Sequence, residues 1–226
     1  MPLLQNSTTT VKSRESVLAT NAVLRNTYML LSLTLLFSGA IATWVAAAHI
    51  PSPGIIISLV GMFGLVFLTM ALRNSAWGIL AIFAFTGFMG YMLGPTLDLY
   101  LKTYINGGQL IATALGGTGV IFLGLSAYVL TTRKDFSYLG GFLFIALIGA
   151  IVLSITGLLF KMPVLTLAIS AVFILIFSGF ILYDTSRIIH GGERNYIMAT
   201  VALYLDIFNL FVSLLNILGA FSGNRN

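Results

Sequence analysis

The sequence predicts an all-α membrane protein of seven transmembrane helices. Three observations carry the fold class: an apolar composition, seven apolar segments of spanning length, and basic residues gathered on alternate turns. A soluble domain is about a quarter charged and about half apolar. This chain of 226 residues is 8% charged and 58% hydrophobic, with a mean hydropathy of +1.03. A soluble fold has too little interior to hide that much apolar surface, so lipid must take the place of solvent.

The segments follow in order. Residues 1–27 are polar, carry Lys12, Arg14 and Arg25, and include the tract Ser7-Thr8-Thr9-Thr10; they read as a flexible tail. The apolar run over 28–48 is about twenty residues, too long for the core of a signal peptide although Ala46-Ala47-Ala48 mimics a cleavage site, and reads as an uncleaved first span. Further spans fall at 54–72, 76–97, 108–130, 139–160, 163–189 and 196–219. Charges, prolines or Gly/Asn clusters separate them: 49–53 with two prolines, Arg73-Asn74-Ser75, 98–108, Arg133-Lys134-Asp135, Lys161-Met162-Pro163, and 190–194. Residues 28–219 thus form one transmembrane domain, with a short C-terminal tail over 220–226. A second reading keeps six spans and a re-entrant last segment, because 190–194 can form a shallow turn.

Orientation follows from the basic residues. The N-terminal tail and the second, fourth and sixth turns hold Lys12, Arg14, Arg25, Arg73, Arg133, Lys134, Arg187 and Arg194; the other side holds Lys102, Lys161 and Arg225. Eight against three places the N-terminus in the cytoplasm and, with seven spans, the C-terminus outside. Placement near helix ends also argues against nucleic acid, which needs a clustered basic face. There are no cysteines, so disulfides, thiolate metal sites and thiol catalysis are excluded. Glycines inside the third segment (Gly87, Gly90, Gly94) and the fourth (Gly116, Gly117, Gly119, Gly124) are expected to let helices approach closely. The hairpins one–two, three–four and five–six end in comparable polar turns, which leaves the seventh segment as the odd one and a candidate for the centre.

The chemistry concentrates in that last segment. Asp206, Asn209, Ser213 and Asn216 recur at spacings of three, four and three, within an arc of roughly 80° on one helix face. Such a stripe avoids lipid and points into the bundle. Interhelical hydrogen bonding explains the asparagines and the serine, but not an aspartate well inside a span. An acid there costs about 2.5–3.5 kcal/mol on insertion scales and needs a partner, water or a proton. Asp184, near the cytoplasmic end of the sixth segment, is the candidate partner. Measured from the connecting turn it lies about 9 Å deep against about 15–18 Å for Asp206, so tilt or a break would have to bring them together. Two carboxyls that meet would share a proton, giving a pH-sensitive element whose oxygens also suit Ca²⁺. Alternatively, Asp184 pairs only with Arg187 or caps the turn. Arg73 and Arg187 are the candidate latch residues, with snorkelling as the plainer role for Arg73. His49 and His190 read as solvated loop residues, and Asp98 and Glu193 as loop charges. No motif for metal-dependent, serine or nucleotide chemistry is present, so an enzyme is not expected and no cofactor is implied. The contexts Leu182-Tyr183-Asp184-Thr185 and Tyr204-Leu205-Asp206-Ile207 also lack the Gly-Asp setting of an intramembrane aspartyl protease.

Several stretches carry a family resemblance: Leu24-Arg25-Asn26-Thr27-Tyr28, Phe83-Ala84-Phe85-Thr86-Gly87-Phe88, Leu93-Gly94-Pro95, Ser126 through Asp135, Ala168 through Leu175, and Ile188-Ile189-His190-Gly191-Gly192-Glu193. In these the chain resembles the Bax inhibitor family of membrane proteins, and within it the bacterial YccA type. The resemblance implies seven helices with the last one central, in the bacterial inner membrane. It implies association with the FtsH protease complex, as substrate and modulator, and the polar tail would suit a protease that pulls on cytoplasmic ends. Channel-like members imply a second function: a pH-gated calcium leak sensed by a di-aspartyl pair in helices six and seven, with Ca²⁺ as the transported ion. Asp184 and Asp206 occupy the matching positions here. The family's helix-two arginine matches Arg73 only within a residue or so.

Overall fold

The computed structural model describes the backbone of residues 3–223 and the side chains of residues 22–223. Seven helices follow one another: α1 (Leu3–Ala47), α2 (Ile55–Leu72), α3 (Trp77–Thr103), α4 (Gly107–Thr132), α5 (Leu139–Leu159), α6 (Pro163–Ile189) and α7 (Tyr196–Ser222). All seven are long and apolar enough to cross a membrane, α1 through its portion Ala22–Ala47. The last segment is a full span of 27 residues, so the re-entrant alternative is set aside. The flexible tail expected over 1–27 falls largely on residues 1–21, whose side chains lie outside the described ones. Of the C-terminal tail, residues 224–226 lie outside them as well.

Helix ends follow local chemistry. α6 starts on Pro163, whose missing N–H costs nothing in the first turn. Asn195 caps α7 through its side-chain oxygen, which accepts the N–H groups of Ile197 (3.0 Å) and Met198 (3.1 Å). The Asn195 amide also donates to the Arg73 carbonyl (2.9 Å) and to Asn74 Oδ1 (3.0 Å), fastening the start of α7 to the α2–α3 turn. One boundary differs from expectation. α3 runs on to Thr103, so Asp98 is helical rather than a loop charge. It pairs with Lys102 one turn later (2.6 Å) and accepts from His49 Nδ1 (2.8 Å), which ties the α1–α2 turn to α3.

Burial is uneven. Half of the spanning window is buried in α3 and in α7, against 6% in α2 and 17% in α5, which therefore face lipid. α7 packs against α1, α2, α3, α4 and α6. Its buried residues Leu203, Tyr204, Ile207 and Leu210 join Leu31, Ile82, Phe85 and Ile181 in one apolar core. Lipid tails are as apolar as these side chains, so close packing and interhelical hydrogen bonds must hold the bundle. α1 and α3 approach each other closely, backbone against backbone. A methyl group at Gly90 would lie 2.3 Å from the Ser38 carbonyl oxygen, and one at Gly94 would lie 2.4 Å from Val45 Cγ1. The glycines of α4 behave otherwise. A methyl group at Gly116, Gly119 or Gly124 would meet no atom within 4 Å, so these glycines do not serve the helix contacts expected of them.

Candidate functional site

The two helices that carry the acids are joined by residues 190–195. Gly191, at φ 75, turns the chain back over α6, and the N–H groups of Gly192 (2.8 Å) and Glu193 (3.1 Å) both reach the Arg187 carbonyl. From the helix ends, Asp184 lies five residues before Ile189 and Asp206 ten residues after Tyr196. At 1.5 Å per residue this leaves about 7 Å between their depths if both helices ended at one level. The structure nevertheless brings Asp184 and Asp206 near enough for each side chain to act on the other.

The site is enclosed. Asp206 is 5% exposed and its Oδ2 has no hydrogen-bond partner among the described residues. Two carboxyl groups hydrogen-bond to each other only when a proton lies between them, since ionised carboxylates only accept. Asp184 is also held from the other side. Arg187, one turn on, places Nη1 3.7 Å from Asp184 Oδ1 and Nη2 3.8 Å from Glu193 Oε2, and lies 5.4 Å from the Tyr183 ring centre. The contacts with Asp206 and with Arg187 therefore coexist. Arg73 takes no part: it is exposed and, among the described residues, pairs with neither aspartate. Of the two latch candidates the structure brings only Arg187 to the acids, because Arg73 lies at the end of α2, whose side chains face outward.

The rest of the stripe is divided. Asn209 Nδ2 donates to the Leu205 carbonyl (2.8 Å) and Ser213 Oγ to the Asn209 carbonyl (2.7 Å), each within its own helix. Asn216 is exposed, and its Oδ1 accepts from Tyr100 Oη at 3.4 Å. Interhelical bonding thus accounts for one of the three. The stronger interhelical bond was not legible as a motif: Tyr204 Oη lies 2.6 Å from Ser38 Oγ of α1, 166 residues away. Thr200 likewise reaches the Thr27 carbonyl at 3.3 Å. Thr27 Oγ1, Tyr28 Oη, Ser126 Oγ and Thr185 Oγ1 are buried without protein partners. They belong to α1, α4 and α6. A spanning pattern offers no signal for such pairings, since serine, threonine and tyrosine occur on every face. Among the described residues no cluster of three or more His, Cys, Asp or Glu could hold a metal ion.

A bundle of seven spanning helices, with a buried aspartate in the last of them, defines a multi-pass α-helical membrane protein. Residues 20–223 match the family described as Inhibitor of apoptosis-promoting Bax1, and the chain belongs to this Bax inhibitor family. It is similar to "Modulator of FtsH protease YccA" of Escherichia coli strain K12, at 56% identity over 206 residues that cover 91% of this chain and 93% of the relative. A relative from another E. coli strain, of the same identity and coverage (56%, 91% and 93%), is named "Inner membrane protein YccA". An uncharacterized membrane protein of Vibrio cholerae is 48% identical over 217 residues, covering 96% of this chain and 97% of its own. Both the family match and the seven spans identify a multi-pass inner-membrane protein.

Proposed function

We propose that this chain binds the membrane-anchored FtsH protease and modulates it, acting by contact within the bilayer rather than by catalysis. The observation that carries this reading is the similarity of 56% over nine-tenths of both chains to the E. coli protein named as a modulator of that protease. The short turns add support: with no soluble domain between spans, contact with a partner runs through the helices or the chain ends. The excess of basic residues on the tail and alternate turns supports an N-terminus in the cytoplasm, where an ATP-dependent protease would engage it, and a C-terminus outside. Co-purification of the full chain with FtsH from membranes, together with slower decay of other FtsH substrates on overexpression, is the expected result. Unchanged substrate decay with no co-purified protease overturns it. Reporter fusions at each end test the orientation, and a cytoplasmic C-terminus would refute it.

A second reading rests on the Asp184–Asp206 contact: a proton-gated cation leak. Joined through a proton, the two acids hold α6 against α7; without it, like charges a few ångströms apart repel and attract a cation. Ca²⁺ would pass as cargo, since two carboxylates fall short of the 6–8 oxygens of a resident site. Arg187 would bias the opening by competing for Asp184. Vesicles containing the protein should release Ca²⁺ in a pH-dependent manner, with the dependence altered in Asp206→Asn. Superimposable pH–flux curves for the two proteins would sink this mechanism.

A further inference from the structure

We propose that the core between α1, α4, α6 and α7 is a binding site for a small cluster of water molecules, with Tyr28, Ser126, Thr185 and Asp206 as its ligands. The assignment comes from where buried hydroxyls of this bundle find their partners. Thr118 Oγ1 donates to the Ala114 carbonyl at 2.7 Å, Thr86 Oγ1 to Ile82 at 2.9 Å and Ser170 Oγ to Thr166 at 3.0 Å, each one turn back along its own helix. Ser126 and Thr185 have the same option and do not take it. They are 2% and 0% exposed. Yet their oxygens, with Tyr28 Oη and Asp206 Oδ2, meet no hydrogen-bond partner among the described residues. Thr27 Oγ1, beside Tyr28 on α1, is a fifth such atom. Buried polar groups are almost always paired, either with protein or with ordered water. Here the protein offers nothing, which leaves water.

The four ligands converge. Each adjoins the same apolar core: Tyr28 packs against it, Ser126 is one turn from Phe122, Thr185 stands between Ile181 and Ile188, and Asp206 between Leu203 and Leu210. α4, α6 and α7 pack against one another, and α1 packs against α6 and α7. Their levels agree as well. α4 and α6 end side by side: the His190 ring, 2.9 Å through Nδ1 from the Ser186 carbonyl oxygen of its own helix, lies 3.1 Å through Nε2 from that of Arg133. Counted back from that contact, Ser126 lies about 10 Å inward along α4 and Thr185 about 7–8 Å inward along α6. The Tyr28 ring lies 6.0 Å from that of Phe122, which brings α1 to the same level. Asp206 and Asp184, the neighbour of Thr185, are near enough to act on each other.

The chemistry of the ligands selects water over a bare cation. Three of them are neutral hydroxyls, each with a proton to donate as well as lone pairs to accept. A dehydrated cation would use the lone pairs and leave the hydroxyl protons unpartnered in an apolar core. Water donates and accepts, and a buried water makes about three hydrogen bonds, so two or three molecules bonded to one another would satisfy the set. The cluster also gives Asp206 the polar company that an acid inside a span requires. It stands apart from both readings proposed above: a protease partner and a leak each leave the same hydroxyls to be paired.

X-ray radiolysis of the full chain in bilayer nanodiscs tests the site, because hydroxyl radicals formed from a bound water oxidise the side chains beside it. Tyr28 should take up oxygen. Tyr204, buried in the same core with its hydroxyl 2.6 Å from Ser38 Oγ, should not. Thr185→Val keeps the shape and removes the hydroxyl. It should lower Tyr28 oxidation several-fold, a dependence that separates bound water from bulk. It should also move the midpoint of SDS unfolding to lower detergent than Thr118→Val does. Thr118 is 3% exposed and already bonded within α4, so its valine variant reads the exchange alone. Removing a hydroxyl that truly had no partner would relieve a penalty instead. Tyr28 oxidised no more than Tyr204, Tyr28 oxidation unchanged in Thr185→Val, or Thr185→Val at least as stable as Thr118→Val would each overturn the proposal. An unfolding midpoint raised by sodium chloride and not by choline chloride would assign a cation to the site and overturn it too.

Discussion

Gly90→Ala tests the packing that sets the α7 polar contacts in place. The added methyl carbon would sit 2.3 Å from the Ser38 carbonyl oxygen and 3.0 Å from Ser38 Oγ. Separations below 3.0 Å to backbone are not sustained, so α1 and α3 must part by at least 0.7 Å at this level. Opening there pulls Ser38 Oγ from Tyr204 Oη, now at 2.6 Å. Overpacking costs about 1–3 kcal/mol, and the lost hydrogen bond about 0.5–1.5 kcal/mol. The better helix propensity of alanine returns about 0.8–1 kcal/mol. The net expectation is a destabilisation of about 1–3 kcal/mol. Reversible unfolding of the full chain in mixed micelles by SDS titration reads it. Gly116→Ala is the control, because a methyl there meets nothing within 4 Å and should leave stability unchanged or slightly raised. Wild-type stability in Gly90→Ala, or an equal loss in Gly116→Ala, would refute the packing argument.

Three further outcomes are expected. Tyr204→Phe removes the bond to Ser38 without adding bulk and should cost about 0.5–1.5 kcal/mol by the same titration, less than Gly90→Ala. Asn195→Ala deletes the α7 cap and the link to the α2–α3 turn; about 0.5–2 kcal/mol is expected, with faster amide exchange at Ile197 and Met198, whereas unchanged exchange would show that the cap is unimportant. Asp135 makes a pH-dependent contribution whose sign is fixed. Its folded-state value lies below the ordinary 3.8, so the contribution is complete above that value and fades as pH falls through the folded one. Thermal unfolding of Asp135→Asn should therefore fall below wild type at neutral pH and converge with it in strong acid; a constant gap at all pH values contradicts this.

The spans, their number and most of their ends were legible from residue order alone, because the bilayer leaves few choices. Backbone groups in hydrocarbon must bond within a helix, and a helix must be apolar for about twenty residues. Asp206 was legible for the same reason, as an acid that lipid does not tolerate. The end of α3 was misread because Asp98 and Lys102 look like a loop until their one-turn spacing is seen to pair on a helix. The hydrogen bonds of His190 were not legible, because a histidine in a turn carries no pattern that reveals the carbonyls around it. Which glycines make contact was equally hidden: Gly90 and Gly116 both sit in glycine-rich apolar stretches, yet one faces α1 and the other lipid. Helix packing settles these, and with them the nearness of Asp184 to Asp206 and the choice of Arg187 over Arg73. Each depends on the level and rotation of one helix against another. Those are set by side-chain packing summed over the whole interface, and no local stretch of sequence contains that sum.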